Sequence, residues 1–291
     1  MSTTLPIRET NDPSRPGMLR SLFEWIADWG DVFINAIAAV GDLAIFVWRM
    51  TVWMVTRRPK RDTILPNFYQ VGVRSLPVVA LTGTFFGMIV ALQVHYQFHS
   101  IGLESRLGAV INMALVRELG PVLAAVMLAG RVGSSMAAEL GTMRVTEQVD
   151  ALATMGTNPI HYLVVPRFLA CLILIPTLTI MADFMGVIGG YFYSVIVLEI
   201  DHQYYWTNSA KFVGGIDVLI GVVKSVFFGA AIAVISCHRG FKSGAGAEGV
   251  GRAATEAFVY SFVAIIALDF VIGIALEVIH EAFIGHHASF V

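Results

Sequence analysis

The chain has 291 residues, of which 56% are hydrophobic and only 14% are charged. Soluble globular domains carry about 25% charged residues. This composition therefore excludes an ordinary water-facing surface and favours a bilayer as the solvent. The net charge of −2 gives no indication of a nucleic-acid partner.

The first 56 residues divide into two predicted segments. Residues 1–18 are polar, contain three prolines and are expected to form a flexible N-terminus without the layout of a signal peptide. Residues 19–56 are predicted to form a helix with a polar residue at every seventh position: Asp28, Asn35, Asp42 and Arg49. We interpret it as an amphipathic helix in the membrane interface, because no charge-free run here reaches spanning length. The alternative is a transmembrane helix whose polar stripe faces protein.

Residues 57–291 are predicted to form the membrane domain, with about five transmembrane helices. The apolar runs that define them lie at approximately 75–95, 108–130, 168–198, 218–237 and 257–276. The third run is too long for one upright span and too short for two, so we expect one tilted helix. Gly83 and Gly87 have GxxxG spacing, which predicts close packing against another helix. Cys171 and Cys237 lie inside apolar runs and are expected to be free buried thiols.

Loop charges orient these helices. The segments 57–74, 131–167 and 238–256 hold eleven Lys and Arg residues, whereas the intervening loops 96–106 and 199–217 hold only Arg106 and Lys211. Because positive residues concentrate on the cytoplasmic side, we predict a cytoplasmic N-terminus and a C-terminus on the far side.

Five charged residues fall within the predicted spans: Arg117, Glu118, Asp183, Lys224 and Asp269. Each costs about 2.5–3.5 kcal/mol at mid-bilayer on insertion scales, so each needs a partner or a role. One interpretation is interhelical pairing that holds the bundle together, which we favour for Asp183 and Asp269. The other is a cavity lining that contacts lipid headgroups, which stays open for Arg117, Glu118 and Lys224. Arg117 and Glu118 point about 100° apart on a helix and are predicted to face different partners.

The sequence contains no reactive constellation typical of an enzyme. The motifs GxSxG, HExxH and GxxxxGK[ST] are absent, so ATP hydrolysis by the P-loop route is excluded for this chain. His95 and His99 lie one helical turn apart without a third ligand nearby, and we interpret them as interfacial residues rather than a metal site. The glycines at 244, 246 and 249 follow a membrane helix, so a flexible loop explains them better than a dinucleotide site. We expect no metal or cofactor bound by this chain.

A capped segment separates the second and third spans. Thr146 is predicted to cap a short helix that begins near Glu147, and Gly156 is predicted to end it. Its acidic side chains are expected to face outward, and three apolar ones to fill a groove on a partner protein: Val149, Leu152 and Met155. This segment is either a docking helix or an amphipathic connector that rests on the bilayer.

Several segments of the chain resemble known permeases. The spacing of Asp150, Ala151, Leu152, Gly156 and Pro166 looks like the EAA loop of ABC-importer permeases, which contacts the ATPase. Across about residues 60–280 the chain resembles the MlaE-type (maintenance of lipid asymmetry) permease family. The segments that carry this resemblance are 117–121, 129–134, 138–141, 143–152, 166–167, 224–225, 249–253 and 268–270. This chain departs from some family members at two charged positions, where it has Asn158 and Glu256.

The resemblance implies a permease homodimer in the inner membrane of a diderm bacterium. It implies that a cytoplasmic ABC ATPase dimer, which binds ATP and Mg²⁺, docks on the 147–156 helix. The positions expected to couple the two proteins are Glu147, Gln148, Asp150, Ala151, Leu152 and Gly156. The resemblance further implies a lipid-binding partner of the mammalian-cell-entry (MCE) type and phospholipid as the cargo. In some systems of this kind a small accessory protein also binds the ATPase.

The sequence as a whole predicts an all-α integral membrane protein. It would have an N-terminal interfacial helix, about five transmembrane helices and a short cytoplasmic coupling helix between the second and third spans. Together with the resemblance, it predicts a non-catalytic permease subunit of an ABC-type phospholipid transporter. Two alternatives from other classes stay open, namely a secondary transporter or channel that responds to an ion gradient, and a membrane scaffold that moves nothing.

Overall fold

The computed structural model describes residues 18–57, 61–100, 102 and 106–284, and every regular element in these ranges is helical. The α-helices are α1 (Met18–Thr56), α2 (Arg61–Phe68), α3 (Leu76–His99), α4 (Leu107–Ala114), α5 (Gly120–Leu128), α6 (Ser134–Val145), α7 (Gln148–Thr154), α8 (Val165–Tyr191), α9 (His202–Phe212), α10 (Gly215–Phe241) and α11 (Gly246–Ile284). Five π-helical turns join some of them: π1 (Tyr69–Val73), π2 (Leu115–Leu119), π3 (Ala129–Gly133), π4 (Ile160–Val164) and π5 (Phe192–Val197). The all-α membrane architecture is confirmed.

Six helical segments within the described ranges are long and apolar enough to cross a membrane: Ile37–Thr56, Asp62–His99, Leu107–Val145, Ile160–Val197, Gly215–Phe241 and Gly246–Val278. Five of them coincide with the five predicted spans and contain them, except that the third predicted span ends one residue later, at Leu198. The sixth belongs to α1, because twenty residues with only two charges still meet the requirement for spanning. The interfacial placement of residues 19–56 therefore stays a prediction. Residues 1–17 and the side chains of Asp28 and Asn35 lie outside what is described.

The chain divides after Trp48 into two units, of which the first is the early part of α1 and the second holds the rest. Within the second unit, the last residues of α1 pack against the rest of that unit. Met50 is only 2% exposed, and the ring of Trp53 lies 6.1 Å from that of His161.

The transmembrane helices are longer than the charge-free runs in the sequence. The predicted span 108–130 continues without a break from Leu107 to Val145, although it carries Arg117, Glu118 and Arg131. Charged side chains interrupt an apolar run, but they do not interrupt backbone hydrogen bonding, so the helix extends beyond the boundaries that hydropathy alone predicted.

Three of the π turns lie just before a proline in the first turn of the next α-helix. π1 precedes Pro77, π2 precedes Pro121 and π4 precedes Pro166. A proline inside a helix lacks an N–H group and clashes with the carbonyl four residues earlier. A wider π turn accommodates this clash while the helix continues. By contrast, α8 continues through Pro176 as one helix, in agreement with the single long span predicted there.

The core of the bundle is built around α8. This helix packs against α3, α10, α5 and α2, while α10 also packs against α6 and α11. In the most apolar part of each span, 61% of Ile160–Val197 is buried inside the protein, but only 11% of Gly246–Val278 is. The helix α11 therefore presents most of its surface to lipid or to another protein.

The two ends of the bundle differ in composition. We call one the basic end, because it carries the described parts of the Lys- and Arg-rich segments, 61–74, 131–167 and 238–256; there Ser243 Oγ donates to the carbonyl of Gly141 at 3.3 Å. We call the other the aromatic end, formed by α9 and the chain that flanks it. There α9 packs against α4, and Asn112 Nδ2 donates to Ser209 Oγ at 2.9 Å.

Candidate functional site

A short helix projects from the basic end between two long spans. The helix α7 begins after Glu147, which has φ of 58°, and the chain turns again at Gly156, which has φ of 77°. Left-handed backbone is uncommon for a residue with a side chain, so Glu147 marks a sharp reversal between α6 and α7. The predicted end at Gly156 agrees with the structure. The predicted cap is wrong, because Thr146 Oγ1 donates back to the carbonyl of Thr142 at 2.8 Å.

The exposed surface of α7 is mainly polar. Glu147, Gln148, Asp150 and Ala151 are exposed, and Leu152 is half-buried. Asp150 forms an ion pair of 3.4 Å with Arg144 of α6. Both side chains are exposed, so this pair contributes little to stability.

The apolar side chains of this helix do not all face outward. Val149 is only 4% exposed because it packs into its own chain, so the prediction that it fills a groove on a partner is wrong. Met155 is 72% exposed and is available at the end of the helix. A partner at this surface would therefore meet the acidic and small residues together with Met155.

The chain that follows α7 is held by Asn158. Its Oδ1 accepts hydrogen bonds from the backbone N–H groups of Ile160 at 2.9 Å and His161 at 3.4 Å. This capping needs an oxygen acceptor and no charge, so asparagine suffices at this position. Beside Asn158 lies a cavity of about 340 Å³ that is also lined by Trp53 and Arg57.

Glu256 is the second position at which this chain departs from some family members. Its carboxylate pairs with Arg239 at 3.4 Å and with Arg252 at 2.9 Å.

Three of the predicted intramembrane charges meet in one cluster. Lys224 of α10 is 1% exposed, and its Nζ lies 3.0 Å from Asp269 Oδ1 of α11 and contacts Glu118 Oε2 of π2. Arg117 extends the cluster, since its guanidinium lies 3.9 Å from Glu277 and 4.0 Å from Glu118. The main partners of Arg117 and Glu118 are thus different residues. The cluster opens to the surface at Glu118 and Glu277, which are 47% and 67% exposed.

Asp183 stands apart from this cluster. It is 8% exposed, and its Oδ1 has no hydrogen-bond partner among the described residues. A Cβ placed at Gly120 would overlap this oxygen, so the carboxyl packs directly against the start of α5. The interhelical ion pair predicted for Asp183 is not found in the described part of the chain, because no cation of a neighbouring helix reaches it.

Gly83 and Gly87 lie where α3 crosses α8. A Cβ at Gly83 would stand 2.7 Å from the carbonyl oxygen of Ala182, and one at Gly87 would overlap that of Gly186. Their close contact is therefore with a helix of the same chain. Beside Gly83 an apolar crevice of about 250 Å³ opens between α3, α5 and α8, and Phe86 and Met127 are among its lining residues.

The described residues include no group of three or more His, Cys, Asp and Glu side chains arranged to hold a metal ion. The rings of His95 and His99 lie 5.4 Å apart near the end of α3, as their helical spacing predicts.

Comparison with known proteins places these features in a family. A family model described as Permease MlaE matches residues 64–275, which is most of the second unit. The chain belongs to this family. The match covers all five predicted spans almost completely, together with α7 and the Lys224 cluster apart from Glu277.

Relatives of this MlaE-family permease are found in bacteria and plants. A probable ABC transporter permease protein of Rickettsia felis is 44% identical over 82% of this chain and 92% of its own length. A protein of the same description from Synechocystis is 42% identical over 73% of this chain and 81% of its own. The chloroplastic protein TRIGALACTOSYLDIACYLGLYCEROL 1 of Arabidopsis thaliana is 39% identical over 72% of this chain and 59% of its own.

Sequence reasoning missed two acidic partners in this MlaE-family permease. Glu277 falls one residue beyond the predicted end of the fifth span and was therefore not counted among the intramembrane charges. Glu139 lies after the predicted second span, yet it pairs with Arg167 at 3.2 Å and accepts a hydrogen bond from Gln70. Longer helix boundaries would have brought both glutamates into consideration.

Proposed function

We propose that this protein is the permease subunit of an ABC-type transporter that moves phospholipid between the inner and outer membranes. A separate ATPase that docks on the 147–156 segment would drive it. The observation that carries the proposal is α7, a short helix with an exposed polar surface, held at the basic end between two long spans. Membership of the MlaE permease family supports the same function.

The docking of an ATPase is supported by the geometry of the segment. The reversal at Glu147 and the turn at Gly156 hold α7 in one orientation, so movement of a bound partner would be transmitted to the spans that contain α6 and α8. The sequence has no P-loop of its own, and the relatives from Rickettsia and Synechocystis are named as probable ABC transporter permeases.

A lipid cargo is supported by the surfaces within the membrane domain. The crevice beside Gly83 is almost entirely apolar, which suits acyl chains, while the Lys224 cluster offers charge that is partly open to the surface. The Arabidopsis relative is named after a galactolipid, which shares the diacylglycerol part of a phospholipid.

The proposal includes an assembly larger than this chain. Two copies would form the permease, with two ATPase subunits at the basic end and an MCE-domain protein at the aromatic end. A small accessory protein would bind the ATPase. ATP and Mg²⁺ would bind to the ATPase alone. The basic end would face the cytoplasm of a diderm bacterium.

Purification of the tagged full chain from its native membrane, followed by mass spectrometry, tests the proposal. We expect a P-loop ATPase, an MCE-domain protein and phospholipid to co-purify. A chain that emerges without an ATPase, under conditions that preserve other ABC complexes, would contradict the proposal and favour gradient-driven transport.

A matched pair of substitutions then locates the docking surface. Asp150→Arg reverses one exposed charge on α7, and Glu248→Arg makes the same change at an exposed position in the first turn of α11, also at the basic end. We expect the first variant to lose the ATPase and lipid transport, because an added arginine faces both the partner and Arg144. The second variant should keep both. Equal behaviour of the two variants would show that docking does not depend on α7.

A further inference from the structure

Four arginines mark the level at which apolar helices end at the basic end. Arg74 precedes the charge-free run 75–95, Arg131 follows the apolar stretch 119–130, Arg167 precedes the run that begins at 168, and Arg239 follows the stretch 225–238. Apolar stretches end where the hydrocarbon core gives way to lipid headgroups. These guanidinium groups therefore lie near the level of the lipid phosphates.

Two of the four arginines are paired with carboxylates. Arg167 lies 3.2 Å from Glu139, and Arg239 lies 3.4 Å from Glu256. Arg74 and Arg131 have no carboxylate within ion-pair distance among the described residues. Arg131 donates to the hydroxyl of Ser75, and Arg74 stacks over the ring of Tyr69 at 5.7 Å.

The two arginines without carboxylate partners line the same cavity. Its volume is about 230 Å³, and its lining includes the polar side chains of Asn67, Gln70 and Ser135. Glu139 contacts the lining of this cavity, since it accepts hydrogen bonds from Gln70 and Ser135, and it pairs with Arg167. Its charge is thus already balanced, so the cavity retains a net positive charge.

The helices adopt unusual geometry at this cavity. Gln70 and Val71 belong to π1, and Arg74 follows directly after it, while Arg131 and Val132 belong to π3. π turns inside helices are frequent at functional sites. Here, one from each of two neighbouring spans presents an arginine to the same space.

We infer that this cavity binds the phosphate group of a phospholipid from the leaflet at the basic end. Guanidinium groups form strong, charge-assisted hydrogen bonds with phosphate oxygens. The position at the end of the apolar runs favours a lipid phosphate over free phosphate, because acyl chains can then extend along the apolar helices. The inference does not rest on the proposed transport function, since a lipid that binds without being transported would use the same site.

Lipid binding to the purified full chain tests this inference by native mass spectrometry after delipidation. The probes are phosphatidylglycerol, diacylglycerol with the same acyl chains, and inorganic phosphate. We expect wild-type protein to bind phosphatidylglycerol at least about tenfold more tightly than diacylglycerol, as two charge-assisted contacts would provide. The double variant Arg74→Gln, Arg131→Gln should bind the two lipids equally.

Two further variants keep the result interpretable. Arg252→Gln removes a positive charge at the same end from a side chain that is 81% exposed, and it should leave the lipid preference unchanged. Arg74→Gln alone avoids any disturbance of the Arg131–Ser75 contact and should lose part of the preference. Binding of phosphatidylglycerol that is the same in wild type and double variant would overturn the inference. Inorganic phosphate that binds as tightly as the lipid would overturn the lipid assignment.

Discussion

Lys224 illustrates how a charge is accommodated inside this membrane domain. Its side chain is 1% exposed, and it contacts two carboxylates that belong to different helices, Glu118 and Asp269. A buried ion pair contributes little net stability compared with an apolar core, but removal of one partner leaves an uncompensated charge. The contact is thus costly to break whether or not these residues also meet lipid.

We expect Lys224→Met to lower the free energy of unfolding by about 3–5 kcal/mol, because Glu118 and Asp269 lose their shared cation. Addition of Asp269→Asn should restore part of this loss by removal of one unpaired charge. Thermal unfolding in detergent would measure both effects, with the exposed Lys211→Met as the control. A single variant as stable as the control would show that the cluster is not structurally important.

Tyr205 carries a pH dependence at the aromatic end. It is 1% exposed and donates to Asn112 Oδ1 at 3.2 Å. Burial raises the pKa of its hydroxyl from 10.0 to about 12, an effect that the hydrogen bond to Asn112 partly opposes. The folded protein therefore holds this proton more tightly than the unfolded chain does. The resulting stabilisation is complete below pH 10 and is lost as the pH rises towards about 12.

We expect the Tm of wild-type protein to fall more steeply between pH 10 and about 12 than that of Tyr205→Phe, which lacks this ionisation. Tyr204→Phe is the matched control, because Tyr204 is the adjacent tyrosine and is 60% exposed. It should show the slope of the wild type. The same slope in all three proteins would mean that Tyr205 ionises equally in the folded and unfolded states.

At the scale of helices, the contact between α3 and α8 determines how closely the bundle packs. Gly83 and Gly87 of α3 face the backbone of α8, and Gly189 of α8 faces the backbone of α3 at Thr84. Small residues on both helices let the two backbones approach, and the resulting van der Waals packing is one of the forces that associate helices in lipid.

We expect Gly87→Ala to lower the Tm, because the added methyl group would overlap the carbonyl of Gly186 and force α3 and α8 apart. Overpacking of this kind costs about 1–3 kcal/mol. Gly251→Ala is the control, since a Cβ there would meet nothing within 4 Å and alanine favours a helix. A Tm for Gly87→Ala that equals or exceeds that of the control would contradict tight packing at this crossing.

At the scale of the whole molecule, the distribution of positive residues predicts which end faces the cytoplasm. The basic end carries α7, so the predicted docking site and the predicted cytoplasmic side coincide. Cys171 and Cys237 are both fully buried. Among the described residues, no native thiol is therefore accessible to an impermeant reagent.

We expect a membrane-impermeant maleimide to label Lys211→Cys in cells with a permeable outer membrane but an intact inner membrane. Ala151→Cys should react only after the inner membrane is opened, because the basic end is predicted to face the cytoplasm. Unmodified protein serves as the control for the native thiols. The reverse labelling pattern would contradict both the orientation and the docking of a cytoplasmic ATPase.

A third cysteine in the same experiment addresses α1. Gly30 is exposed and precedes the segment Ile37–Thr56 that is long enough to span. An interfacial helix would place Gly30→Cys on the same side as Ala151→Cys, which is the result we expect. Reaction from the opposite side would instead establish a sixth transmembrane helix.

The sequence by itself determined the membrane class, the approximate positions of five spans, the basic end and the position of the short helix α7. These properties depend on composition and on patterns along the chain, because a bilayer imposes the same length and charge rules on every spanning helix. Helix boundaries were less well predicted, since hydropathy ends at the headgroups while backbone hydrogen bonding continues beyond them.

Only the tertiary structure decided which side chains meet. Lys224 lies 106 residues from Glu118 in the chain, and the rotation of each helix about its own axis places them together. The same rotations turn Val149 inward, direct Gly87 towards α8 and bring Arg74 and Arg131 to one cavity, where no carboxylate of the described residues pairs with either arginine. Such contacts depend on packing between distant segments, which no local pattern of residues specifies.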